Sequence, residues 1–167
     1  VLELPVGTAI RGIRMVDWTG DGLLDVLYGT SEARGTYGSI YLLRNVGTAD
    51  RPRFAAPEVL TSGTTPIRIP WGFASPAFHD FDGNGALDII TGNRLNTLYY
   101  IRNTGSPERP ELAEPVPVVG PDGAPLELPE MQHHAVLYDL DRDGQVDILL
   151  AADGPFLYFL KGTGVLR

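Results

Sequence analysis

The stretch Asp80-Phe81-Asp82-Gly83-Asn84-Gly85-Ala86-Leu87-Asp88 carries oxygen-bearing side chains at its first, third, fifth and ninth positions. Such groups repel one another at this spacing unless a positive charge lies between them. Its two glycines let the chain turn tightly, because glycine tolerates left-handed backbone angles. A hard cation that takes roughly six to eight oxygen ligands fits this arrangement, and Ca²⁺ is the usual one. The stretch therefore predicts a calcium-binding loop.

The same nine-residue pattern occurs three times, beginning at Asp17, Asp80 and Asp139. Other features recur in phase with it. Leu-Glu-Leu-Pro or Ile-Arg-Ile-Pro precedes each loop, and Arg-Asn-x-Gly or Lys-Gly-Thr-Gly follows it. A period of about sixty residues is typical of repeat architectures. We therefore divide the chain into repeat 1 (1–66), repeat 2 (67–125) and repeat 3 (126–167). Extra residues in 31–39 make that segment a decorated loop of repeat 1.

Apolar residues within each repeat form short runs of the strand type. In repeat 1 these runs are IRGIRMV (10–16), LLDVLYG (23–29), SIYLLRN (39–45) and FAAPEVL (54–60). The 20 glycines and 14 prolines leave almost no room for a helix of three turns. Four short strands in about sixty residues correspond to one blade of a β-propeller. The sequence predicts an all-β fold in which residues 1–167 form a single propeller segment, with about three blades of four antiparallel strands.

Closure of such a propeller needs more than this chain provides. Repeat 3 lacks a counterpart of FAAPEVL, and three blades are fewer than the roughly four to eight that close a ring. The chain is then either part of a larger propeller or one that closes by pairing with another copy. Residues 1–4 could supply the missing strand to a neighbouring blade. The expected partners are therefore other propeller blades or a second copy of the chain.

Acidity is concentrated in the three loops. The formal net charge is −8, from 21 acidic and 13 basic residues. Ten acidic residues lie in the loops, namely Asp17, Asp21, Asp25, Asp80, Asp82, Asp88, Asp139, Asp141, Asp143 and Asp147. The remaining 11 acidic and 13 basic residues give +2.

With a single lysine and scattered arginines, no nucleic-acid surface is expected. No apolar run reaches about 18 residues, so no membrane-spanning helix is expected. Without cysteine, disulfides and thiolate metal sites are excluded.

The loops DWTGDGLLD (17–25), DFDGNGALD (80–88) and DLDRDGQVD (139–147) resemble the Asp-rich hairpin loops of FG-GAP and VCBS repeats. Similar repeats occur in integrin α-subunit propellers and in many secreted bacterial proteins. The turn Arg-Asn-x-Gly-Thr/Ser followed by Pro52-Arg53-Phe54 is also similar to the bacterial VCBS pattern. The resemblance implies a propeller with one Ca²⁺ per loop, up to three in all, held between two strands of a blade. Functions within the family include adhesion, sugar binding and scaffolding of polysaccharide lyases, so fold alone does not decide function.

The resemblance also implies a ligand set for each loop. In repeat 2 the ligands are Asp80, Asp82, Asn84, the carbonyl of Ala86, and Asp88; in repeat 3 they are Asp139, Asp141, Asp143, the carbonyl of Gln145, and Asp147. Repeat 1 has Asp17, Asp21, the carbonyl of Leu23, and Asp25, with Thr19 in place of the acid at position three. That site should bind more weakly. The alternative is that all three loops are Asx-type hairpin turns without metal.

Four further residues are candidates for ligand contacts. His133 and His134 open the strand that enters the third loop, at the positions of Arg11 and Gly12 in repeat 1. Ligand contacts of propellers often lie near the channel mouth, and histidine titrates near neutrality, so this pair can serve as a base or a sugar contact. The alternative is a partly exposed polar strand start. Trp71 has no aromatic counterpart in the other repeats and is either a sugar-stacking platform or a local gap filler.

Together these features favour a calcium-binding propeller module of a secreted or cell-surface protein, acting as a binding or scaffold unit toward carbohydrate. One rival is a polysaccharide lyase-like enzyme in which His133 or His134 works with Arg11. The other is a purely structural repeat. The first is favoured over the enzyme because no acid–base pair recurs at a defined spacing, and no catalytic residue is assigned. An extracellular location is expected because sites of modest affinity fill where calcium is near millimolar.

Overall fold

The structure is a computed structural model, and it describes residues 9–32, 35–120, 122–128, 134–151 and 153–162. All regular elements in these ranges are β-strands paired antiparallel, and this part of the chain contains no α-helix. The strands are, in chain order, β1 (Ala9–Val16), β2 (Asp25–Ser31), β3 (Tyr37–Gly38), β4 (Ile40–Leu43), β5 (Glu58–Val59), β6 (Thr61–Ser62), β7 (Thr65–Pro66), β8 (Ile69–Pro70), β9 (Ser75–His79), β10 (Asp88–Gly92), β11 (Leu98–Ile101), β12 (Val116–Pro117), β13 (His134–Tyr138), β14 (Asp147–Ala151) and β15 (Leu157–Leu160). The predicted all-β class is confirmed.

Three of the sheets are blades. Blade 1 has the strand order β1-β2-β4-β5, blade 2 the order β9-β10-β11-β12, and blade 3 the order β13-β14-β15. Each Asp-rich loop joins the first strand of its blade to the second, and the aspartate at position nine begins that second strand. Blades 1 and 2 have the four antiparallel strands predicted, and blade 3 has three within the described residues. Within the residues that the structure describes, the three sheets do not close into a ring, which agrees with a partial propeller.

Two apolar cores lie between successive blades. In the first, Leu27 and Leu42 of blade 1 pack with Ile89 and Ile101 of blade 2. Trp18, in the first loop, is 4% exposed and meets the ring of Phe78 edge-on at 5.6 Å between centroids. Facing sides of neighbouring blades thus bury one another, as expected for repeats that are not stable singly.

The second core repeats this arrangement one blade further along. Ala77, Ile90 and Tyr100 of blade 2 pack with Ile148 and Leu150 of blade 3, and Phe81 takes the position of Trp18. The corresponding residue of the third loop, Leu140, is 50% exposed because no described blade follows blade 3.

Close approach between blades 1 and 2 requires glycine at the inner end of β2. A Cβ on Gly29 would lie 2.0 Å from the carbonyl oxygen of Ala74, well inside van der Waals contact. Glycine here lets β2 of blade 1 lie close to the beginning of β9, the first strand of blade 2.

The decorated loop of repeat 1 pairs with the beginning of repeat 2. Strand β3 lies within this loop and pairs with β8, with Tyr37 opposite Pro70 and Gly38 opposite Ile69. The loop therefore links two blades. The repeat boundaries at 66/67 and 125/126 stay predictions, and the strand proposed for residues 1–4 lies outside the described residues.

Candidate metal centres

Two of the three loops bring acidic side chains together. In the second loop, Asp80, Asp82 and Asp88 each offer a carboxylate oxygen, and these oxygens lie within 4.8 Å of one another. In the third loop the same is true of Asp139, Asp141 and Asp147. Oxygens that share one Ca²⁺ at roughly 2.3–2.6 Å have separations of this size, so both donor sets fit a hard cation. Sequence and structure agree on these six residues as a possible metal-holding set.

The aspartate at position one shapes each loop. The Oδ1 atom of Asp80 accepts hydrogen bonds from the amides of Gly83 at 2.8 Å and Asn84 at 3.1 Å, and its Oδ2 atom accepts one from Gly85 at 2.8 Å. Asp17 and Asp139 accept equivalent bonds in their own loops. Gly85 has φ +89°, a left-handed angle that side chains rarely adopt. The Asx-type turn considered from sequence is therefore present and coexists with the acidic cluster.

The aspartate at position nine ties each loop to the end of the third strand. Asp88 is fully buried; its Oδ2 accepts from the amide of Phe81 at 3.1 Å and the hydroxyl of Tyr100 at 2.8 Å, and its Oδ1 accepts from the amide of Asn103 at 2.6 Å. Corresponding pairs of amides meet Asp25 (Trp18, Asn45) and Asp147 (Leu140, Gly162). In every blade this carboxylate therefore holds the loop to the end of the third strand through hydrogen bonds. Its function as a hydrogen-bond acceptor could not be inferred from loop spacing.

Burial affects the titration of the same group. Desolvation raises the pKa of Asp88, and the bonds from Asn103, Tyr100 and Phe81 oppose that rise because they stabilise the carboxylate. Tyr100 in turn has a raised pKa from burial and from its bond to Asp88, so it remains a hydrogen-bond donor.

A basic residue from the end of the third strand contacts the acid at position three. The Nε atom of Arg102 lies 2.6 Å from Oδ2 of Asp82, whose side chain is only 7% exposed. Lys161 contacts Asp141 and also lies 3.0 Å from Oδ2 of Asp143. Backbone hydrogen bonding from Gln145 and the contact with Lys161 lower the pKa of Asp143.

The first loop lacks the ion pair between the acid at position three and the basic residue after the third strand. Thr19 replaces the acid at position three, and its hydroxyl lies 3.4 Å from Oδ2 of Asp25. Arg44, the counterpart of Arg102, pairs instead with Glu58 at 2.8 Å. Among the described residues, which include this whole loop, no cluster of three acidic side chains forms around Asp17. Weaker calcium binding by the first loop, expected because Thr19 replaces an acid, therefore stays a prediction.

A comparison with known protein families agrees with the predicted loop repeat. The model of the FG-GAP-like repeat matches residues 17–91, from the first residue of the first loop to the strand that leaves the second loop. No curated protein matches the chain.

The FG-GAP-like match confirms the predicted resemblance and agrees with blades of the β-propeller type. It covers the first two loops. The third loop lies beyond the matched residues but repeats their hydrogen bonds and their acidic cluster. The VCBS part of the resemblance stays an expectation. Among the residues that the structure describes, no helix is both long and apolar enough to cross a membrane.

A second group of candidate residues lies where the inner strands of the three blades begin. Nδ1 of His134 on β13 is 2.7 Å from Oγ of Ser75 on β9, and Ser75 is fully buried. Gly12 on β1 allows this approach, because a Cβ there would lie 2.7 Å from the same Oγ. The ring of Phe73 is edge-on to His134 at 5.7 Å and carries the guanidinium of Arg11 at 4.5 Å from its centroid. Arg11 and His134 therefore contact the same ring.

Trp71 lies close by in sequence on an unusual backbone. Trp71, Gly72 and Phe73 all have positive φ, at 65°, 67° and 65°, which is costly for the two aromatic residues. The backbone is held by bonds from the amide of Trp71 to the carbonyl of Thr36 and from the amide of Arg94 to the carbonyl of Gly72. The indole side chain is 58% exposed, so it does not fill a gap in the core. His133 lies outside the described residues.

Ser75 and Phe73 were missed by the sequence analysis. Neither belongs to a recurring motif, and only the packing of three inner strands brings them to His134. Burial and the charge of Arg14 lower the pKa of His134, and Asp153 acts in the opposite direction. The imidazole is therefore held toward its neutral form near pH 7.

Proposed function

We propose that this chain is a calcium-binding β-propeller module. The observation that carries the proposal is the pair of acidic clusters in equivalent loops, each with three carboxylate oxygens within 4.8 Å of one another. Ca²⁺ prefers all-oxygen sites with several carboxylates, whereas these loops offer no nitrogen or sulfur ligand that would favour zinc. Both donor sets lie on hairpins anchored in blades.

A bound Ca²⁺ would add positive charge between the carboxylates, beyond that of Arg102 beside Asp82 and Lys161 beside Asp141. The chain's own residues do the rest. Asp80 and Asp139 close the turn through backbone amides, and Asp88 and Asp147 hold the second strand to the third. The first loop, with Asp17, Asp21 and Asp25 and without an acid at position three, binds least tightly.

Thermal unfolding in chelator and in calcium tests this proposal. Excess chelator should lower the melting temperature and added calcium should restore it, because an ion that binds only the folded state stabilises it by mass action. The substitutions Asp80→Asn and Asp139→Asn should each remove part of the calcium response. Asp122→Asn, in an exposed turn away from the loops, is the matched control. Equal melting curves with and without calcium would exclude a metal site.

We further propose that the module binds carbohydrate outside the cell. The exposed indole of Trp71 offers a stacking surface, and Arg11 and the partly buried His134, which contact the same ring of Phe73, offer a positive charge and an imidazole. The left-handed backbone at residues 71–73 supports this, since strain of this kind concentrates at ligand sites. A secreted location supplies the calcium that low-affinity loops require.

Glycan-array binding is the direct test of the ligand class. The calcium-loaded protein should bind, and Trp71→Ala and Arg11→Ala should each lose most of the signal. Arg53→Ala, which changes an exposed arginine after the first blade's Arg-Asn turn, should bind as the unchanged protein does. Absence of binding to any glycan, with calcium binding intact, would leave the purely structural function.

An enzymatic function is the second candidate, favoured by the contact of His134 and Arg11 with the same ring of Phe73 and by the lowered pKa of His134. A neutral imidazole is the form that abstracts a proton. An ultraviolet-absorbing unsaturated product from an acidic polysaccharide, lost in His134→Ala or His133→Ala, would establish a lyase. Glycan binding without such a product would exclude it.

A further inference from the structure

Three arginines lie around the left-handed segment 71–73, at the end of the blades opposite the Asp-rich loops. Arg11 lies near the beginning of β1, Arg68 directly precedes β8, and Arg94 follows the end of β10. The Asp-rich loops instead join the end of each first strand to the beginning of the second. Acidic loops and these basic side chains are therefore separated by the length of a blade.

The guanidinium of Arg94 lies beside the middle of the segment. The amide of Arg94 donates to the carbonyl of Gly72 at 3.1 Å. A Cβ on Gly35, in the decorated loop, would lie 3.2 Å from Nη1 of Arg94, and a Cβ on Gly72 would lie 3.3 Å from Cα of Gly35. Glycine at these two positions thus lets the decorated loop, the segment and this guanidinium lie together.

The other two arginines are stacked on aromatic rings next to the same segment. The guanidinium carbon of Arg68 lies 4.3 Å from the ring centroid of Tyr37, a residue paired with Pro70. That of Arg11 lies 4.5 Å from the ring centroid of Phe73. Stacking of this kind orients the planar guanidinium before a ligand arrives, so less conformational freedom is lost when its N–H groups bind an anion.

Within the described part of the chain, these three arginines form no ion pair. The basic residues at the opposite end of the blades do, since Arg44, Arg102 and Lys161 each pair with an acid. Glu32, the acidic side chain of the decorated loop, accepts hydrogen bonds from two hydroxyl groups instead. Like charges held around one segment repel one another, and an anion bound among them offsets that repulsion.

We propose that the site at Trp71 recognises an anionic glycan, whose carboxylate or sulfate groups are bound by Arg11, Arg68 and Arg94. This inference rests on the carbohydrate function proposed above. A guanidinium can donate to two oxygens of such a group at once. The indole of Trp71, 58% exposed, supplies an aromatic surface for the apolar face of a sugar ring. Because the whole chain has a net charge of −8, attraction of an anion depends on this local set of cations.

The glycan array that tests carbohydrate binding also tests this charge preference. Glycans with uronate or sulfate groups should bind, and carboxyl reduction or desulfation of a bound glycan should lower its affinity about tenfold or more, since hydrogen bonds to charged groups are lost. Equal binding of neutral glycans would overturn the anionic class and leave the carbohydrate function intact. That result is also expected if an acidic side chain outside the described residues neutralises the arginines. Absence of binding to every glycan would overturn both.

Glutamine variants separate recognition of charge from stacking. Arg68→Gln and Arg94→Gln should each weaken binding of the acidic glycan about three- to tenfold, and should leave the weak binding of its neutralised form unchanged. Trp71→Ala should weaken binding of both forms. Arg109→Gln, which changes an exposed arginine in the turn after β11, is the matched control and should bind as the unchanged protein does. Full affinity in the double variant Arg68→Gln/Arg94→Gln would overturn the assignment of these arginines.

A cooperative thermal melt shows that each variant is folded. Should Arg68→Gln or Arg94→Gln fail to fold, the lysine variant at that position, which keeps the charge and loses the planar fork, takes its place and should also bind more weakly.

Salt and a nucleic-acid probe complete the test. Binding of the acidic glycan should weaken as the salt concentration rises from about 0.01 M to about 0.15 M, because exposed charges are then screened. Single-stranded DNA should bind more weakly than the best acidic glycan, since binding through the phosphate backbone depends on many cationic contacts. Glycan binding that is insensitive to salt, or tighter binding of DNA, would each overturn the proposal.

Discussion

At the residue scale, the positions of the nine-residue loop have different structural functions. Position one closes the turn through backbone amides, and position nine is buried and fastens the loop to the third strand. Position three pairs with a basic residue where it is acidic, as in Asp82 and Asp141. Sequence spacing alone predicts the same function, metal binding, for all of these positions. The hydrogen bonds and ion pairs show that each also has a structural function of its own.

Replacement of Asp88 by alanine should destabilise the protein even in chelator. The change leaves the amides of Phe81 and Asn103 and the hydroxyl of Tyr100 without their acceptor in a buried place. We expect the free energy of unfolding to fall by about 3 kcal/mol, since each unsatisfied buried group costs roughly 1–3 kcal/mol. Chemical denaturation in chelator measures it. Asp82→Ala, which loses an ion pair with a half-exposed arginine, should cost much less, and equal losses would contradict a fastening function for position nine.

Removal of the charge of Lys161 should tighten calcium binding at the third loop. Its ammonium group contacts both Asp141 and Asp143, so it occupies carboxylate oxygens that a dication would use and repels that dication. We expect Lys161→Gln to raise the calcium affinity of that loop roughly three- to tenfold at low salt, an effect of ordinary size for one nearby exposed charge.

Isothermal titration calorimetry of calcium binding provides the measurement. Arg44→Gln is the control, since Arg44 holds the same repeat position but pairs with Glu58 outside the loop, and it should leave the affinity unchanged. Unchanged or weaker binding by Lys161→Gln would show that the lysine supports the loop instead of competing for it.

At the scale of elements, the inner strands of the three blades are joined by side chains as well as by packing. His134 of β13 accepts or donates one hydrogen bond with Ser75 of β9, and Arg14 of β1 donates to the carbonyl of Ala135 at 3.2 Å. The strand starts are therefore electrostatically coupled across blades.

This coupling predicts a pH dependence of stability. The pKa of His134 is lowered in the folded state from its ordinary 6.5, by burial first and by Arg14 second, so the unfolded chain binds the proton more tightly. Stability contributed by the neutral imidazole is complete above about pH 6.5 and is lost as the pH falls through that value toward the lowered one.

Comparison with His134→Gln isolates this contribution. Melting temperatures measured between about pH 8 and pH 5 should fall more steeply for the unchanged protein than for the variant, which has no proton to bind at this position. Parallel curves for the two proteins would show that His134 titrates as it does in the unfolded chain.

At the scale of the whole molecule, stability depends on what covers each blade. Trp18, Phe81 and Leu140 occupy the same position of successive loops, yet their exposed fractions are 4%, 9% and 50%. They hold the same position in their loops, but Trp18 and Phe81 pack into the cores with the following blade, whereas no described blade covers Leu140.

Truncation of these three side chains should give unequal losses. Trp18→Ala and Phe81→Ala should each lower the free energy of unfolding by about 3–5 kcal/mol, because each leaves a cavity between two blades. Leu140→Ala should cost less than about 1 kcal/mol in dilute solution, as expected for an exposed side chain. Denaturation curves measure all three. A loss at Leu140 as large as that at Trp18 would contradict the exposure of Leu140.

Much of this protein follows from sequence alone. The threefold loop pattern, the short apolar runs and the abundance of glycine and proline predicted an all-β stack of four-stranded blades, because these signals are local in the chain. The acidic residues that cluster in loops 2 and 3 were predicted for the same reason: nine consecutive residues on a tight hairpin must lie close together.

Tertiary structure alone decided the features that depend on distant residues. The position-nine aspartate meets the amide of Asn45, Asn103 or Gly162 only when the third strand is laid beside the second. Ser75 reaches His134, and Phe73 lies between His134 and Arg11, only because three inner strands pack side by side. Which apolar faces are buried and which remain open also depends on the neighbouring blade. Local periodicity specifies which face of a strand is apolar, but the surface that covers that face is a property of the assembled blades.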